Sequence, residues 1–434
     1  MPKVAFYTLG CKVNQYESAA MAELFEKKGY EIVDFDDKAD VYVINTCDVT
    51  NESGRKSRQI IRKAIRKNPS AKVAVVGCYA QLEPNKVSNL PGVSVVVGTK
   101  DRHKIVDLVE EAKQTDKQVV AVEDIMKQRT FEEIAFRGHR TKTRAFLKIQ
   151  EGCNMFCSYC IIPYARGPVR SRAIESIIAE AENLARDGFK EIVLTGIHLG
   201  LYGFDFKEEK HHLLEVISRI SQIEGIERIR LSSIEALELT DEFLEGLLKI
   251  KSFCHHFHIP LQSGCDTVLK RMNRRYSTND FRNRVNYIRS LMPDASITTD
   301  VIVGFPGETE DEFRVTESFI QEMEFSKLHV FPFSARRGTP AADMPNQVEK
   351  SVKADRSHRL IHLSQELEQK FRGKFISTIQ DVLFEDKKDG NRYEGLTENY
   401  IKVVVKSKED LHNQIIPVKL MENMDDYIFG KIDK

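Results

Sequence analysis

The sequence predicts an α/β protein: an N-terminal doubly wound parallel sheet, a central partial (β/α)6 barrel and a small C-terminal all-β barrel. Three observations predict it. Short apolar runs alternate with helical patterns through the first 115 residues. The same alternation then returns for six further β/α units. Finally, after a long helical pattern, the period changes to short alternating segments. A length of 434 residues suits roughly three domains at about 150 residues each. We expect an N-terminal unit over 1–115, a linker over 116–138, the barrel over 139–369 and the C-terminal unit over 370–434.

In the first unit the expected strands are 4–9, 41–44, 73–76 and 93–97, with helices over 16–28, 52–67 and 105–112. Residues 113–139 have mixed charge and poor periodicity. The barrel strands are expected at 145–150, 192–195, 228–231, 256–261, 296–303 and 328–333. Helical patterns lie between them at 174–186, 213–223, 241–250, 278–291 and 310–324. Sites in such folds form at the C-terminal ends of the strands. A long helix is expected over 349–371, followed by short strands at 375–384, 400–405, 414–419 and 427–430.

Lys plus Arg and Asp plus Glu both number 65, for a formal net charge of zero. With 41% apolar and 30% charged residues, the chain is not of the disordered class. No apolar run approaches the roughly 18 residues that span a membrane. The N-terminus turns polar by Asn14 and lacks a secretion leader, so a cytoplasmic protein is expected. Its eight cysteines are then metal ligands or reactive groups rather than disulfides.

Cys153, Cys157 and Cys160 form CxxxCxxC directly after the first barrel strand. Offsets of four and three let the thiolates converge in a loop. They are one short of the four ligands of structural zinc, and of those of a fully ligated 4Fe-4S cluster. On such a cluster three thiolates would leave one iron open. The alternatives are a zinc site completed by a distant His, or three unconnected core thiols.

This motif after a first barrel strand resembles the radical S-adenosylmethionine (AdoMet) superfamily. CIIPYARG, LTGIHLGLYG, FHIPLQSG and TTDVIVGFPGET extend the likeness. Together they resemble the methylthiotransferase family, across essentially the whole chain, with a TRAM domain at the C-terminus. The resemblance implies that Cys153, Cys157 and Cys160 hold a 4Fe-4S cluster whose open iron binds AdoMet. Cleavage of that AdoMet gives a 5′-deoxyadenosyl radical. No side chain is expected to act as acid or base.

Cys11, Cys47 and Cys78 each follow an apolar strand, in YTLGC, VINTC and VVGC. Ends of parallel strands share one edge, so these thiols can converge there. Gly10 and Gly77 permit close backbone approach. Buried structural cysteines are the alternative. The resemblance implies a second 4Fe-4S cluster here, carrying the sulfur to be inserted. Cys254 and Cys265 read as packing thiols.

Expected AdoMet contacts are the strand ends: Thr195 and Gly196, Ser232 and Ser233, Gln262 and Ser263, Val303 and Gly304. Phe156, Tyr159 and Ile161 in the cysteine loop can pack on adenine. His255, His256 and His258 are not assigned to metal: with no nearby Asp or Glu they read as a strand face plus a packing residue.

The zero net charge hides a local excess. Residues 54–67 carry Arg55, Lys56, Arg58, Arg62, Lys63, Arg66 and Lys67 with no acid. Facing outward on a helix, they suit a polyanion contact; a solvated face is the alternative. Arg166, Arg170, Arg172, Arg336 and Arg337 add charge near the expected active edge. Residues 371–434 hold 11 basic and 12 acidic residues, so a TRAM unit would bind RNA by one face only.

Within the family, TLGCKVNQYES, ARGPVRSR and FHIPLQSGCDTVLKRMNRRY resemble most the branch acting on N6-threonylcarbamoyladenosine beside the tRNA anticodon. The sister branches act on N6-isopentenyladenosine and on a ribosomal-protein aspartate. Threonylcarbamoyl adds a carboxylate that Arg170 or Arg172 could pair with. The expected partners are tRNA, an electron donor and a sulfur donor, with neither membrane nor DNA.

Overall fold

A computed structural model describes residues 1–134, 143–207 and 212–433. Strands β1 (Lys3–Thr8), β2 (Glu31–Val33), β3 (Val41–Thr46), β4 (Lys72–Gly77), β5 (Val93–Val97) and β6 (Val119–Ala121) form one sheet. Its order is β2-β1-β3-β4-β5-β6, and every pairing is parallel. Helices α1 (Lys12–Lys27), α2 (Asn51–Lys67), α3 (Cys78–Leu82), α4 (Pro84–Ser88) and α5 (Ile105–Thr115) connect the strands. Ile61 and Ala64 of α2 pack on one face with Tyr42 and Ile44. Phe25 of α1 and Val109 of α5 pack on the other with Val43 and Val76. Both faces are covered, as a parallel sheet requires. β6 corrects the expected linker: its short apolar run pairs with β5, so the sheet continues past residue 115.

The second region contains β7 (Arg144–Lys148), β8 (Gln150–Glu151), α6 (Ile162–Arg166), β9 (Arg170–Ser171), α7 (Ile174–Arg186) and β10 (Glu191–Thr195). It continues with α8 (Leu213–Ile220), β11 (Arg228–Leu231), α9 (Asp241–Leu248), β12 (His256–His258), α10 (Asp266–Arg271) and α11 (Thr278–Leu291). β13 (Ser296–Val303), α12 (Glu310–Met323) and β14 (Lys327–Pro332) complete it. Parallel ladders give β11-β10-β7 and β12-β13-β14, and single bridges at Ile229↔Phe253 and Ser233↔His258 join the two halves. Among the described residues no ladder joins β7 to β14, so this six-stranded barrel is open on one side. Serine and threonine caps start α9, α11 and α12, with Ser277 and Asp280 at α11 and Thr309 and Glu312 at α12 forming reciprocal boxes. β12 is shorter than expected: Pro260 has no amide to donate, and Gln262 has a left-handed φ of 64°. The expected boundary at 138/139 lies outside the described residues.

Helix α13 (Lys350–Gly373) runs past the expected boundary at 369. β15 (Ile379–Lys388), β16 (Arg392–Thr397), β17 (Lys402–Lys406), β18 (Ile415–Asn423) and β19 (Ile428–Ile432) then close a barrel in the order β15-β16-β17-β19-β18. β16 is not among the strands expected from periodicity. Gly395 interrupts its alternation, and a Cβ there would stand 2.5 Å from the Leu383 carbonyl oxygen of β15.

The two flanking units close the central barrel. α1 lies against β7, with Glu17 reaching Lys148 at 2.8 Å. On the other side Asn51 donates to Ser334 and Ala335, just beyond β14, and Asp48 pairs with Arg336. The N-terminal sheet therefore spans the open side between β7 and β14. Arg228 and Arg230 donate to carbonyls of the C-terminal barrel, at Leu396 and Glu398, which fixes that barrel beneath the strand starts.

Candidate functional site

The N-terminal thiols lie at neighbouring strand ends, near enough for Cys11 and Cys47 to act electrostatically on Cys78. Gly77 has φ 94°, and a Cβ on it would stand 2.4 Å from Asn45 Oδ1, so the chain can turn into Cys78 only with glycine there. At Gly10, φ is 104° and a Cβ would approach the Cys47 side chain to 3.0 Å. Cys47 and Cys78 are buried and Cys11 is exposed. Burial pushes Cys78 up to about 12, and the charges of Arg166, Cys47 and Cys11 act on it.

Cys153, Cys157 and Cys160 lie in the loop between β8 and α6. Burial pushes Cys160 up to about 12, with Cys157 and Cys153 close enough to add to it. Two side chains that the sequence reading missed touch these sulfurs. His198 Nδ1 lies 3.5 Å from Cys153 Sγ, and its other nitrogen meets Glu238. The Arg274 guanidinium donates to Cys157 Sγ at 3.5 Å and pairs with Glu235. Hydrogen bonds to sulfur are one means of tuning a thiolate-held cluster. His198 falls inside LTGIHLGLYG, where its place after a strand end was the available signal.

Arg166 joins the two groups. Its Nε donates to Cys78 Sγ at 3.3 Å, while the Cys153 amide donates to the carbonyl of the next residue, Gly167. The guanidinium is wholly buried and also bonds Asn14, Glu17 and Glu151. Lys148 and Arg102 add two cations and Glu132 a third carboxylate, giving three charges of each sign. Burial opposes the charge on Arg166, but Cys78, Glu17 and Glu151 outweigh it and hold the group protonated.

This overturns part of the expected substrate contact. Arg166 is fully buried in that network. Arg172 pairs with Glu180 at 2.6 Å, and Arg170 donates to the Pro168 and Arg166 carbonyls. Arg170 and Arg172 are both 3% exposed. None of the three faces a ligand, because each is already engaged inside the protein. On α2, Arg55, Arg62 and Arg66 are exposed, whereas Arg58 lies over the Tyr79 ring. Arg55 pairs with Glu52, and Lys63 and Lys67 pair with Asp36 towards the opposite edge of the sheet. Arg336 pairs with Asp48, leaving Arg337 exposed. Arg58, Arg337 and Ile161 share a cleft of ≈ 700 Å³ between the N-terminal sheet and the barrel, beside Asp48 and so beside Cys47.

The expected AdoMet residues divide by strand face. Thr195 and Ser232 lie on the opposite face from Leu194 and Leu231, which pack outward in the core. Ser232 Oγ is buried with no partner among the described residues, an opening for a ligand hydrogen bond. Gln262 holds its left-handed backbone at the strand end, and Phe156 has φ 48° and is 40% exposed. Ser233 is exposed beside the bridge to His258. Tyr159 packs with Ile302, Cys265 and Phe333. Four expectations need correction. Val303 packs outward in the core, Ser263 bonds Thr316 of α12, and the Gly304 amide donates to Glu308. Gly196 abuts Gln150 at 2.8 Å from where a Cβ would stand, so its space serves packing. Cys254 is buried, and Cys265 packs in an apolar cluster, as expected of structural thiols.

The histidine strand does find carboxylates, on other elements. His258 meets Asp300 and His255 meets Glu398, each at 3.3 Å. Among the described residues, only His258, Asp300 and His329 bring three ligating atoms within 4.8 Å of one another. Neither thiol triplet closes that far. Thiolates around one zinc, at about 2.3 Å from the metal, stand roughly 3.8 Å apart. The wider spread and the all-thiolate donor set fit a cluster better than one ion.

Residues 3–98 match the family described as Uncharacterized protein family UPF0004, and residues 147–320 match the Radical SAM superfamily. The chain is 48% identical over 427 residues to the threonylcarbamoyladenosine tRNA methylthiotransferase MtaB of Bacillus subtilis, covering 97% of this chain and 94% of that protein. The same-named protein of Aquifex aeolicus is 41% identical, covering 92% and 96%. A tRNA-2-methylthio-N(6)-dimethylallyladenosine synthase of Clostridium tetani is 34% identical, covering 96% and 93%. Among solved structures, the radical S-adenosylmethionine methyltransferase TsrM of Kitasatospora setae matches with a TM-score of 0.57 at 17% identity, covering 79% of this chain and 77% of that one. That likeness is one of fold.

Proposed function

The chain belongs to the radical AdoMet tRNA methylthiotransferases, and from that premise we propose that it converts N6-threonylcarbamoyladenosine beside the tRNA anticodon to its 2-methylthio derivative. The observation that carries this is the meeting of two cysteine triplets through Arg166, at the mouth of a barrel whose open side is covered by the N-terminal sheet. The relatives named for threonylcarbamoyladenosine stand at 48% and 41% identity, against 34% for one named for dimethylallyladenosine, which favours the threonylcarbamoyl substrate.

In this reading Cys153, Cys157 and Cys160 hold the AdoMet-binding 4Fe-4S cluster, and Cys11, Cys47 and Cys78 hold a second one. When bound, these groups and AdoMet supply one-electron C–S cleavage, hydrogen abstraction at adenine C2 and delivery of a methylthio group. The protein supplies placement and exclusion of water. Ser232 and Thr195 offer polar groups to AdoMet, and Phe156 and Tyr159 offer rings for its adenine. His198 and Arg274 hold the Cys153 and Cys157 sulfurs in place, and Arg166 fixes Cys78 relative to the Cys153 loop. Arg58 and Arg337 line the cleft by which tRNA reaches both triplets. A TRAM role for the C-terminal barrel, external electron and sulfur donors, and a cytoplasmic setting belong to the same proposal. Among the described residues, no helix is long and apolar enough to cross a membrane.

The test is anaerobic turnover of the reconstituted protein with AdoMet, a reductant, a sulfide source and a stem-loop RNA bearing N6-threonylcarbamoyladenosine. The expected product is the 2-methylthio nucleoside together with 5′-deoxyadenosine. Deoxyadenosine without the modified nucleoside would remove the substrate assignment.

A further inference from the structure

We propose that Lys12 recognises the carboxylate of the threonylcarbamoyl group inside the barrel lumen. This rests on the threonylcarbamoyl reading above and goes beyond it by assigning the contact that selects the substrate.

Lys12 directly follows Cys11 and is the first residue of α1, the helix laid against β7 at the barrel's open side. It lines a cavity of ≈ 490 Å³ with His258, Thr298 and His329 from three successive strands. Asn399 and Tyr400 of the C-terminal barrel form the floor, where Tyr400 stacks on His256 at 4.7 Å and accepts Arg230 over its ring. The acids on or beside this wall are already paired: Glu368 with Lys327, Asp426 with Lys402 and Asp300 with His258. The nearby Arg144 and Arg230 pair with Glu385 and Glu191. Among the described residues no carboxylate lies within ion-pair distance of Lys12. A partly buried cation without a counter-ion thus faces a polar chamber, which is an arrangement for an anion.

Placement and polarity agree with this. Adenine carries C2 and the N6 substituent on its pairing edge, so a base entering edge-first puts both deepest. Consecutive Cα atoms lie about 3.8 Å apart, so a C2 held by the Cys11 triplet leaves the substituent within reach of Lys12. An apolar dimethylallyl group would leave Lys12 without a counter-charge, and such a mismatch strongly disfavours the wrong ligand. The arginines expected to take the carboxylate, Arg170 and Arg172, are buried elsewhere.

The test measures binding of the anaerobically reconstituted protein to two stem-loop RNAs. One carries N6-threonylcarbamoyladenosine and the other its neutral carboxamide analogue. The wild-type protein is expected to prefer the carboxylate by about 10- to 100-fold, the scale of a hydrogen bond to a charged group. Lys12→Met should bind both alike, with Lys12→Arg restoring part of the preference. The wild-type comparison needs no variant, so misfolding beside Cys11 cannot mask the answer. A wild-type protein indifferent to the carboxylate, or a Lys12→Met protein that keeps the preference, overturns the proposal. A wild-type protein that binds a dimethylallyl stem-loop better than either RNA instead defeats the threonylcarbamoyl reading itself.

Discussion

Single residues decide where charge and sulfur sit. Cysteines at strand ends were legible, since an apolar run closing on Gly-Cys or Thr-Cys announces both the strand and the edge. What surrounds them was not. Arg166 and Glu17 are 149 residues apart in sequence, and nothing local tells an arginine paired inside the protein from one facing solvent. For that reason Arg166, Arg170 and Arg172 read as RNA contacts yet pack as structural cations. Removing one partner of a buried ion network leaves the others uncompensated, at about 3–5 kcal/mol. Glu17→Ala is therefore expected to lower unfolding stability by that amount, measured in urea; a change below about 1 kcal/mol would contradict the network's role. The triplets should also separate chemically. Cys157→Ala should abolish formation of 5′-deoxyadenosine, whereas Cys78→Ala should leave it and lose only methylthiolation.

At the scale of elements, the segment between the sheet and the barrel acts as a clamp. Glu132 binds both Arg102 and His103. Burial pushes the Glu132 carboxyl up, but Arg102 and His103 outweigh it and hold it at about 2. Its folded pKa is thus below the unfolded value near 4.5. Its stabilisation is present above about pH 4.5 and is lost as pH falls towards 2. Glu132→Gln should flatten that acid limb of stability while lowering stability at neutral pH, which a series of thermal melts would show; an unchanged limb would contradict the assignment. Periodicity revealed nearly every strand of the two parallel units, because buried parallel strands are continuous apolar runs. It missed β2 and β6, each three residues long, the two-residue β9, and β16, whose pattern Gly395 breaks. The lumen surface was also illegible. It is made of alternate residues on separate strands, and their shared face exists only once the register is set.

For the whole molecule, zero net charge hides opposite local fields. α2 begins at the sheet edge that carries Cys47 and runs away from it, so its basic residues differ in distance from the site. Arg58→Gln and Arg337→Gln should each weaken tRNA binding and reduce the salt dependence by about one phosphate contact. Arg66→Gln, towards the far edge, should change neither. A larger effect from Arg66 than from Arg58 would place the RNA elsewhere. The central claim is that this assembly of sheet, radical barrel and polar lumen methylthiolates threonylcarbamoyladenosine in tRNA. Nucleoside mass spectrometry of tRNA from cells lacking the gene tests it most directly. We predict loss of 2-methylthio-N6-threonylcarbamoyladenosine with its unmethylthiolated precursor accumulating, restored by the wild-type gene and not by Cys157→Ala. Loss of the 2-methylthio isopentenyl nucleoside instead, with the threonylcarbamoyl form untouched, would contradict it.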